Sequence, residues 1–299
     1  MTIGFIGQGF IGKSYADDFE RRGYTVVRYA LEEPYRANKD KITDCDIVFI
    51  AVPTPTTIKG FDYSIVESAL GLVGKGATAV IKSTILPGTT RRLQKKFPRI
   101  TVMHSPEFLV LKQAAENAAR PLRNIVGICS MTPALKKKAA VVLKTLPRAP
   151  FEAVMLAEDA EMVKYAGNFF LYLKVLYANL IYEMAEAIGG DYESVRAAVA
   201  ADPRIGPSHL AVLHDSGHRG AKRGRGAGGV CFIKDVAALA EYYARHGGDR
   251  WGSALFDAAI EKNIDLLVAS GKDLDLLAGV HGRAALQRHA PRRKARAKQ

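Results

Sequence analysis

Met1-Thr-Ile-Gly-Phe-Ile-Gly-Gln-Gly-Phe-Ile-Gly12 opens the chain. An apolar run, residues 2–7, ends in glycines and leads into a helical pattern that continues to Arg22. Strand, tight turn and helix, in that order, are the setting in which a Gly-x-Gly-x-x-Gly motif carries meaning. Gly7, Gly9 and Gly12 permit the turn and let a pyrophosphate approach the helix N-terminus, where unsatisfied N–H groups point outward. Residues 7–12, with Phe10 and Ile11 between the glycines, therefore read as a dinucleotide cradle.

Working outward, apolar runs recur at 24–29, 46–52, 77–82, 100–103 and 124–128, with helical patterns such as 64–73 and 132–145 between them. Nearly continuous apolar strands alternating with helices predict a parallel sheet covered on both faces. The fold class is α/β: a Rossmann-type doubly wound parallel sheet over residues 1–150. After Pro150 the period changes. Residues 157–188 hold no proline and are apolar on most of their circumference, which predicts one long buried helix. Helical patterns at 233–245 and 254–269 complete an all-helical domain over 151–275, and 276–299 reads as a basic, disordered tail.

Cofactor choice turns on the end of the second strand. Val26-Val-Arg-Tyr-Ala30 lacks the acidic residue that would hold a ribose, with Glu32 and Glu33 close behind. NAD is the expected cofactor; Arg28 and Arg36 keep NADP open. Val52-Pro-Thr-Pro-Thr56 and Lys82-Ser-Thr-Ile-Leu-Pro-Gly-Thr-Thr90 lie where strands end, the edge at which such sheets bind ligands. Val52, Pro53, Thr54, Thr56, Ser83 and Thr84 are accordingly expected at the cofactor, as is Glu107 of Ser105-Pro-Glu-Phe-Leu109.

A second glycine-rich turn, Gly226-Ala-Gly-Gly-Val-Cys-Phe-Ile-Lys-Asp235, puts Cys231 just before a helix expected to begin near Phe232. A thiol at a helix N-terminus gains thiolate character, and Lys234 and Asp235 fall within the first turn. Spacing alone supports a nucleophile and a small turn residue equally. On the long helix, Lys164 and Asn168 share a face and read as a clamp for a developing oxyanion. Asn179 and Glu183 read instead as a polar network at a subunit interface.

The net charge of +13 is concentrated in two places. Seven Lys or Arg and no acid follow Val280, without interleaved aromatics, so a solubilising tail is preferred to a nucleic-acid arm. The other patch, 219–225, would suit an anionic substrate. Three dispersed cysteines, Cys45, Cys129 and Cys231, make neither a disulfide framework nor a metal site, and a reducing cytoplasm is expected. No apolar run reaches the ~20 residues of a membrane span, and the opening lacks the features of a signal peptide.

Taken in order, the motifs resemble the UDP-glucose/GDP-mannose dehydrogenase family. The resemblance rests on residues 51–56, Ser83-Thr84 with Gly88-Thr-Thr90, 106–109, Lys164 with Asn168, Arg204-Ile-Gly206, and 228–235, and covers roughly 1–270. It implies NAD-dependent, four-electron oxidation of a sugar nucleotide's primary alcohol to a carboxylate through a thiohemiacetal and a thioester on Cys231. Lys164 would stabilise oxyanions, Asn168 and Asp235 would position water, and Thr84 and Glu107 would join the proton network. Lys234, Arg204, Phe108, Leu109, Gly228 and Gly229 would contact substrate, and a homodimer would form on the long helix. The chain departs from the family in three ways: Leu111 replaces a carboxylate, Val230 replaces a small polar residue or histidine, and the chain ends about where a further α/β domain should begin. A dehydrogenase of a smaller hydroxy acid and a non-catalytic dinucleotide-binding protein are the alternatives.

Overall fold

In a computed structural model, residues 1–218 and 220–289 are described, and they form two compact units. The first comprises Met1–Pro55 and Phe61–Tyr165; the second takes Thr56–Gly60 and the chain from Ala166.

The first unit starts with β1 (Thr2–Ile6), α1 (Phe10–Arg21), β2 (Thr25–Tyr29) and β3 (Ile47–Ile50). A separate two-stranded sheet of β4 (Thr56–Thr57) and β5 (Gly60–Phe61) interrupts the series. The chain then continues through α2 (Ser64–Leu70), β6 (Thr78–Ile81), α3 (Thr89–Lys96), β7 (Thr101–His104), α4 (Ala114–Ala119), β8 (Arg123–Ile128), α5 (Pro133–Thr145) and β9 (Phe151–Leu156). Seven strands form one sheet in the order β2-β1-β3-β6-β7-β8-β9. Every adjacent pair is parallel except β7 and β8, which meet antiparallel at His104 and Gly127. The expected parallel sheet is thus mostly parallel. The segment carrying α4 enters β8 from the end at which β7 finishes and so reverses the direction.

Every residue of β3, β6 and β7 is buried, as strands covered on both faces must be. Phe5, Phe19 and Phe49 pack on one face with ring centroids 5.1–5.4 Å apart. Ile6, Ile50, Val66 and Ile81 fill the other. β9 joins this sheet, so the first unit runs to Tyr165, beyond the boundary at 150 expected from the change of period.

The second unit is helical: α6 (Ala157–Ala187), which begins in the first unit, then α7 (Tyr192–Ala200), α8 (Gly229–Arg245), α9 (Arg250–Ser270), α10 (Leu274–His281) and α11 (Arg283–Arg288). The long helix is present, but it is not buried all round. Phe170, Tyr177, Leu180 and Met184 are exposed, at spacings of seven, three and four residues that keep them on one stripe, and Ile188 just past the helix is exposed as well. The disordered tail expected from 276 also needs correction. Leu277 of α10 and Ala285 of α11 are buried with Ile233, Ile264 and Leu267, so apolar spacing hidden among the basic residues folds this stretch as helix. Residues 290–299, the rest of that expected tail, lie outside the described residues.

Candidate active site

In the first unit the opening turn is shaped for close approach. Gly7 has φ +91°, and a β-carbon there would lie 2.4 Å from Ala51 O; one on Gly12 would lie 1.9 Å from Gly7 O. Gly9, the N-cap of α1, faces open space, and no side chain caps the helix. These residues fit a dinucleotide pyrophosphate, which needs both the bare N–H groups and the room. Phe10 is exposed and Ile11 is half-buried beside the core.

The two loops expected beside the cofactor are bonded together. Val52 N donates to Ser83 Oγ (3.0 Å), Ser83 Oγ donates to Val52 O (2.7 Å), and Thr54 Oγ1 donates to Thr84 O (2.7 Å). Pro53 lies between Val52 and Thr54, and Thr84 is half-buried. Thr56 falls in the second unit, at the start of β4.

Glu107 is 3% exposed, yet its carboxylate has partners on both oxygens. Oε1 accepts from Lys164 Nζ at 2.9 Å and Oε2 from Leu109 N at 2.8 Å. The Phe108 ring carries Arg123 at 3.6 Å and Lys164 at 5.8 Å. A buried ion pair of this kind stands because each charge, left alone, would be costly.

Three further groups of this unit were not singled out from the sequence. Lys82 Nζ, fully buried, donates to Ser105 O (3.3 Å) and Oγ (3.1 Å) and lies 4.5 Å from the centre of the Tyr15 ring. Burial lowers its amine to about 7, against the opposing pull of Glu107. His104, also fully buried, has neither ring nitrogen hydrogen-bonded, and burial, with Lys82 next, pushes it down to about 3. Glu161 accepts from Gly88 N (2.6 Å), Thr90 N (2.7 Å) and Thr90 Oγ1 (2.6 Å), capping α3 from α6. Burial pushes its carboxyl up to about 7 despite those bonds. A lysine directly after the buried run of β6 was the one visible signal for Lys82. Glu161 had none, because its partners lie 71 and 73 residues away.

In the second unit, Asp235 is 1% exposed and bound from two sides. Asn168 Nδ2 donates to its Oδ2 (2.7 Å) and Lys234 Nζ to its Oδ1 (2.5 Å). Cys231 is exposed on the first turn of α8, which starts at Gly229 with Gly228 as its N-cap, earlier than the expected Phe232. The helix N-terminus is thus at the thiol itself. Val230 is 54% exposed beside it.

Other expected groupings are not formed. Arg204 is bound to its neighbour Asp202 through Nε (3.0 and 3.2 Å) and Nη2 (2.6 Å), an exposed local pair. Arg225 donates to Asn179 Oδ1 (2.8 Å) and Glu183 Oε1 (2.6 Å), and Lys262 also holds Glu183. Asn179 and Glu183 therefore take part in a network within the chain, and it occupies one cation of the patch expected to meet an anionic substrate. Arg219 of that patch lies outside the described residues. Among the described residues no cluster could hold a metal ion, and no helix is long and apolar enough to cross a membrane.

Two models of one family match the chain in sequence order. The NAD binding domain of the UDP-glucose/GDP-mannose dehydrogenase family matches residues 30–145, and the central domain of that family matches 158–265. The chain belongs to this family. UDP-glucose 6-dehydrogenase TuaD of Bacillus subtilis is 33% identical over 233 residues, which are 73% of this chain and 46% of that protein. UDP-glucose 6-dehydrogenase of Pseudomonas aeruginosa is 34% identical over 230 residues, 70% of this chain and 47% of that one. The chain spans about half the length of these curated relatives. Its fold is similar to that of a UDP-glucose dehydrogenase from Pyrobaculum islandicum, with TM-score 0.75 at 24% identity, over 97% of this chain and 80% of that one. The family's NAD binding match begins at Ala30, so the assignment of the Gly7–Gly12 turn stands on its geometry.

Proposed function

We propose that this protein oxidises the C6 alcohol of a sugar nucleotide to the carboxylate, with Cys231 as covalent carrier and NAD as oxidant. The observation that carries the reading is the exposed thiol on the first turn of α8, with the buried Asp235 one turn later bound to Asn168 and Lys234. NAD, when bound, takes up one hydride in each of two oxidations per sugar. The Glu107 carboxylate is assigned to the proton network, and the Lys164 ammonium to the negative charge that develops on the substrate oxygens. The Cys231 sulfur adds to the C6 aldehyde, and its proton passes to the oxygen, giving a thiohemiacetal. Loss of hydride from that carbon, with the hydroxyl proton released to solvent, gives the thioester. Water, oriented by Asp235 and Asn168, adds to the acyl carbon and expels the thiolate, leaving the carboxylate, and Thr84 is assigned to the proton network.

Two features of the first unit favour NAD over NADP. Arg28, the nearest cation at the end of β2, is bound by Glu20 (2.9 and 2.6 Å) and Asp17 (2.7 Å); burial lowers its pKa, but these two carboxylates outweigh it, raise it and occupy its donors. Glu32 and Glu33 are both exposed just beyond it. The exposed stripe of α6, from Phe170 to Met184, supports a homodimer built on that helix. Lys234, Phe108, Leu109, Gly228 and Gly229 are assigned to substrate, and Arg204 to the substrate of a neighbouring subunit once released from Asp202. A reducing, cytoplasmic setting suits a working thiol.

The test is cofactor reduction with UDP-glucose, UDP-N-acetylhexosamines and GDP-mannose, each offered with NAD and NADP. Two NADH per sugar consumed is the expected result. One NADH per sugar, with aldehyde accumulating, would remove the thioester step; silence across the panel, with dinucleotide still bound, would remove the reaction.

A further inference from the structure

The turn that carries Cys231 is held by residues far from it in sequence. Gly229 N, the first N–H of α8, donates to Asp273 Oδ2 at 2.7 Å. The Ser216 hydroxyl donates to the same oxygen, and Oδ1 lies 2.8 Å from His218 Nε2. One carboxylate thus gathers two other segments, at Ser216–His218 and at Gly229, which lie 55–57 and 44 residues before it. Its side chain is 1% exposed. Burial pushes the acid up, but the bonds from Ser216, His218 and Gly229 outweigh it and hold it below the usual carboxylate range. Asp273 also has φ +53°, an uncommon backbone for a residue with a side chain.

The rest of the turn is fastened in the same way. Fully buried Lys272 donates to Gly226 O (2.9 Å). Asn263 accepts from Ala227 N (2.7 Å) and donates to Ala227 O (3.0 Å), and Ser270 Oγ accepts from Arg225 N (3.1 Å). Gly228 leaves the space that the clamp fills: a β-carbon there would lie 2.1 Å from Asp273 Oδ2 and 2.5 Å from Ser216 Oγ. A turn needed only to reverse the chain has no use for so many distant bonds.

We propose that Asp273 is a positioning residue for Cys231: bound by Gly229, Ser216 and His218, it holds the first turn of α8 so that the thiol is presented as a reactive nucleophile. The proposal rests on the reading of Cys231 as the nucleophile, and its test needs no sugar nucleotide. Iodoacetamide alkylation of the full chain, followed by peptide mass, reports Cys231 selectively. Cys45 is buried with its thiol pushed up to about 11, and half-buried Cys129 is also raised, in both cases by burial first.

Asp273→Ala is expected to slow alkylation of Cys231 about tenfold, as the thiolate loses the ordered helix N-terminus. Ser216→Ala, which keeps the carboxylate charge and two of its bonds, should slow it less. The double variant should be no slower than Asp273→Ala alone, since both changes act through one group. Leu210→Ala, a buried apolar control in the cluster between α6 and α7, should lower the melting temperature and leave the alkylation rate at the wild-type value. In turnover, Asp273→Ala should lower kcat with KM nearly unchanged.

An unchanged alkylation rate in Asp273→Ala would overturn the positioning role, and a faster one would show that Asp273 acts on the thiol through its charge instead. If that variant fails to fold, Ser216→Ala decides, and a wild-type rate there sinks the proposal. If the wild-type chain oxidises no sugar nucleotide, the proposed reaction falls while the alkylation result still judges the clamp.

Discussion

Glu107 in the first unit and Asp235 in the second are both buried carboxylates bound by a lysine, and they are held in different ways. Glu107 draws Lys164 from 57 residues away, in a region that also buries Lys82 and His104. Asp235 has its lysine next to it on α8 and takes an amide, Asn168, as its distant partner. The first arrangement spends stability on concentrating charge away from water. The second keeps charge local and makes its long-range bond with a neutral amide. On the proposed reading the two arrangements suit different tasks, since acid–base work needs titratable groups whose protonation can change, whereas a nucleophile needs a fixed approach.

The sharpest division between the two comes from Cys231→Ser. It should abolish net oxidation while leaving dinucleotide affinity, measured by fluorescence titration, within about twofold, because the Gly7–Gly12 turn belongs to the other unit. Retained turnover would break the assignment of nucleophilic work to the second unit.

Breaking the Glu107–Lys164 pair should act on stability. Glu107→Leu or Lys164→Met alone is expected to cost about 3–5 kcal/mol in urea unfolding, because each leaves a buried charge without its partner. The double replacement should recover most of that loss while remaining inactive. Equal losses in the single and double variants would show that the pair is not the buried unit described above.

The pH dependence of the first unit follows from two groups of opposite sign. Lys82 falls from an ordinary 10.5 to about 7, so its contribution to stability is whole above 10.5 and is lost as pH falls towards 7. Glu161 rises from 4.5 to about 7, so its contribution is whole below 4.5 and is lost as pH rises towards 7. Together they favour a stability minimum near neutrality. Lys82→Met should flatten the alkaline limb of a stability–pH profile, and an unaltered slope would mean that the folded state keeps that amine protonated.

Smaller effects should come from the surface. Phe170→Glu with Met184→Glu should convert a dimer to a monomer in sedimentation with the helical signal retained; a dimer that persists would move the interface off α6. Deleting residues 290–299 should leave kinetics unchanged within error, and a raised KM for substrate would assign that segment to phosphate binding.

Much of the first unit was legible because its signals are local. A strand ending in spaced glycines, then apolar runs at regular intervals, specify strand, turn and helix within a few residues of each other. The cysteine turn was legible for the same reason, although spacing alone left its purpose open until the ordered motifs of the family were considered together. The buried character expected for α6 failed at Phe170, Tyr177, Leu180 and Met184, since apolar composition says nothing about which neighbour covers a face. Arg225 failed in a similar way: a basic patch looks available until Asn179 and Glu183 are seen to hold it.

By itself, then, the sequence determined the alternation of strands and helices, the dinucleotide turn and the candidate nucleophile, all of which depend on spacing along the chain. Only the tertiary structure decided that Lys82 is buried beside Ser105, that Glu161 caps α3, and that Asp273 fastens the turn before Cys231. The physical reason is that the role of a charged side chain depends on its solvent and its partner. For these groups both are fixed by chain segments tens of residues away, where no local pattern records them.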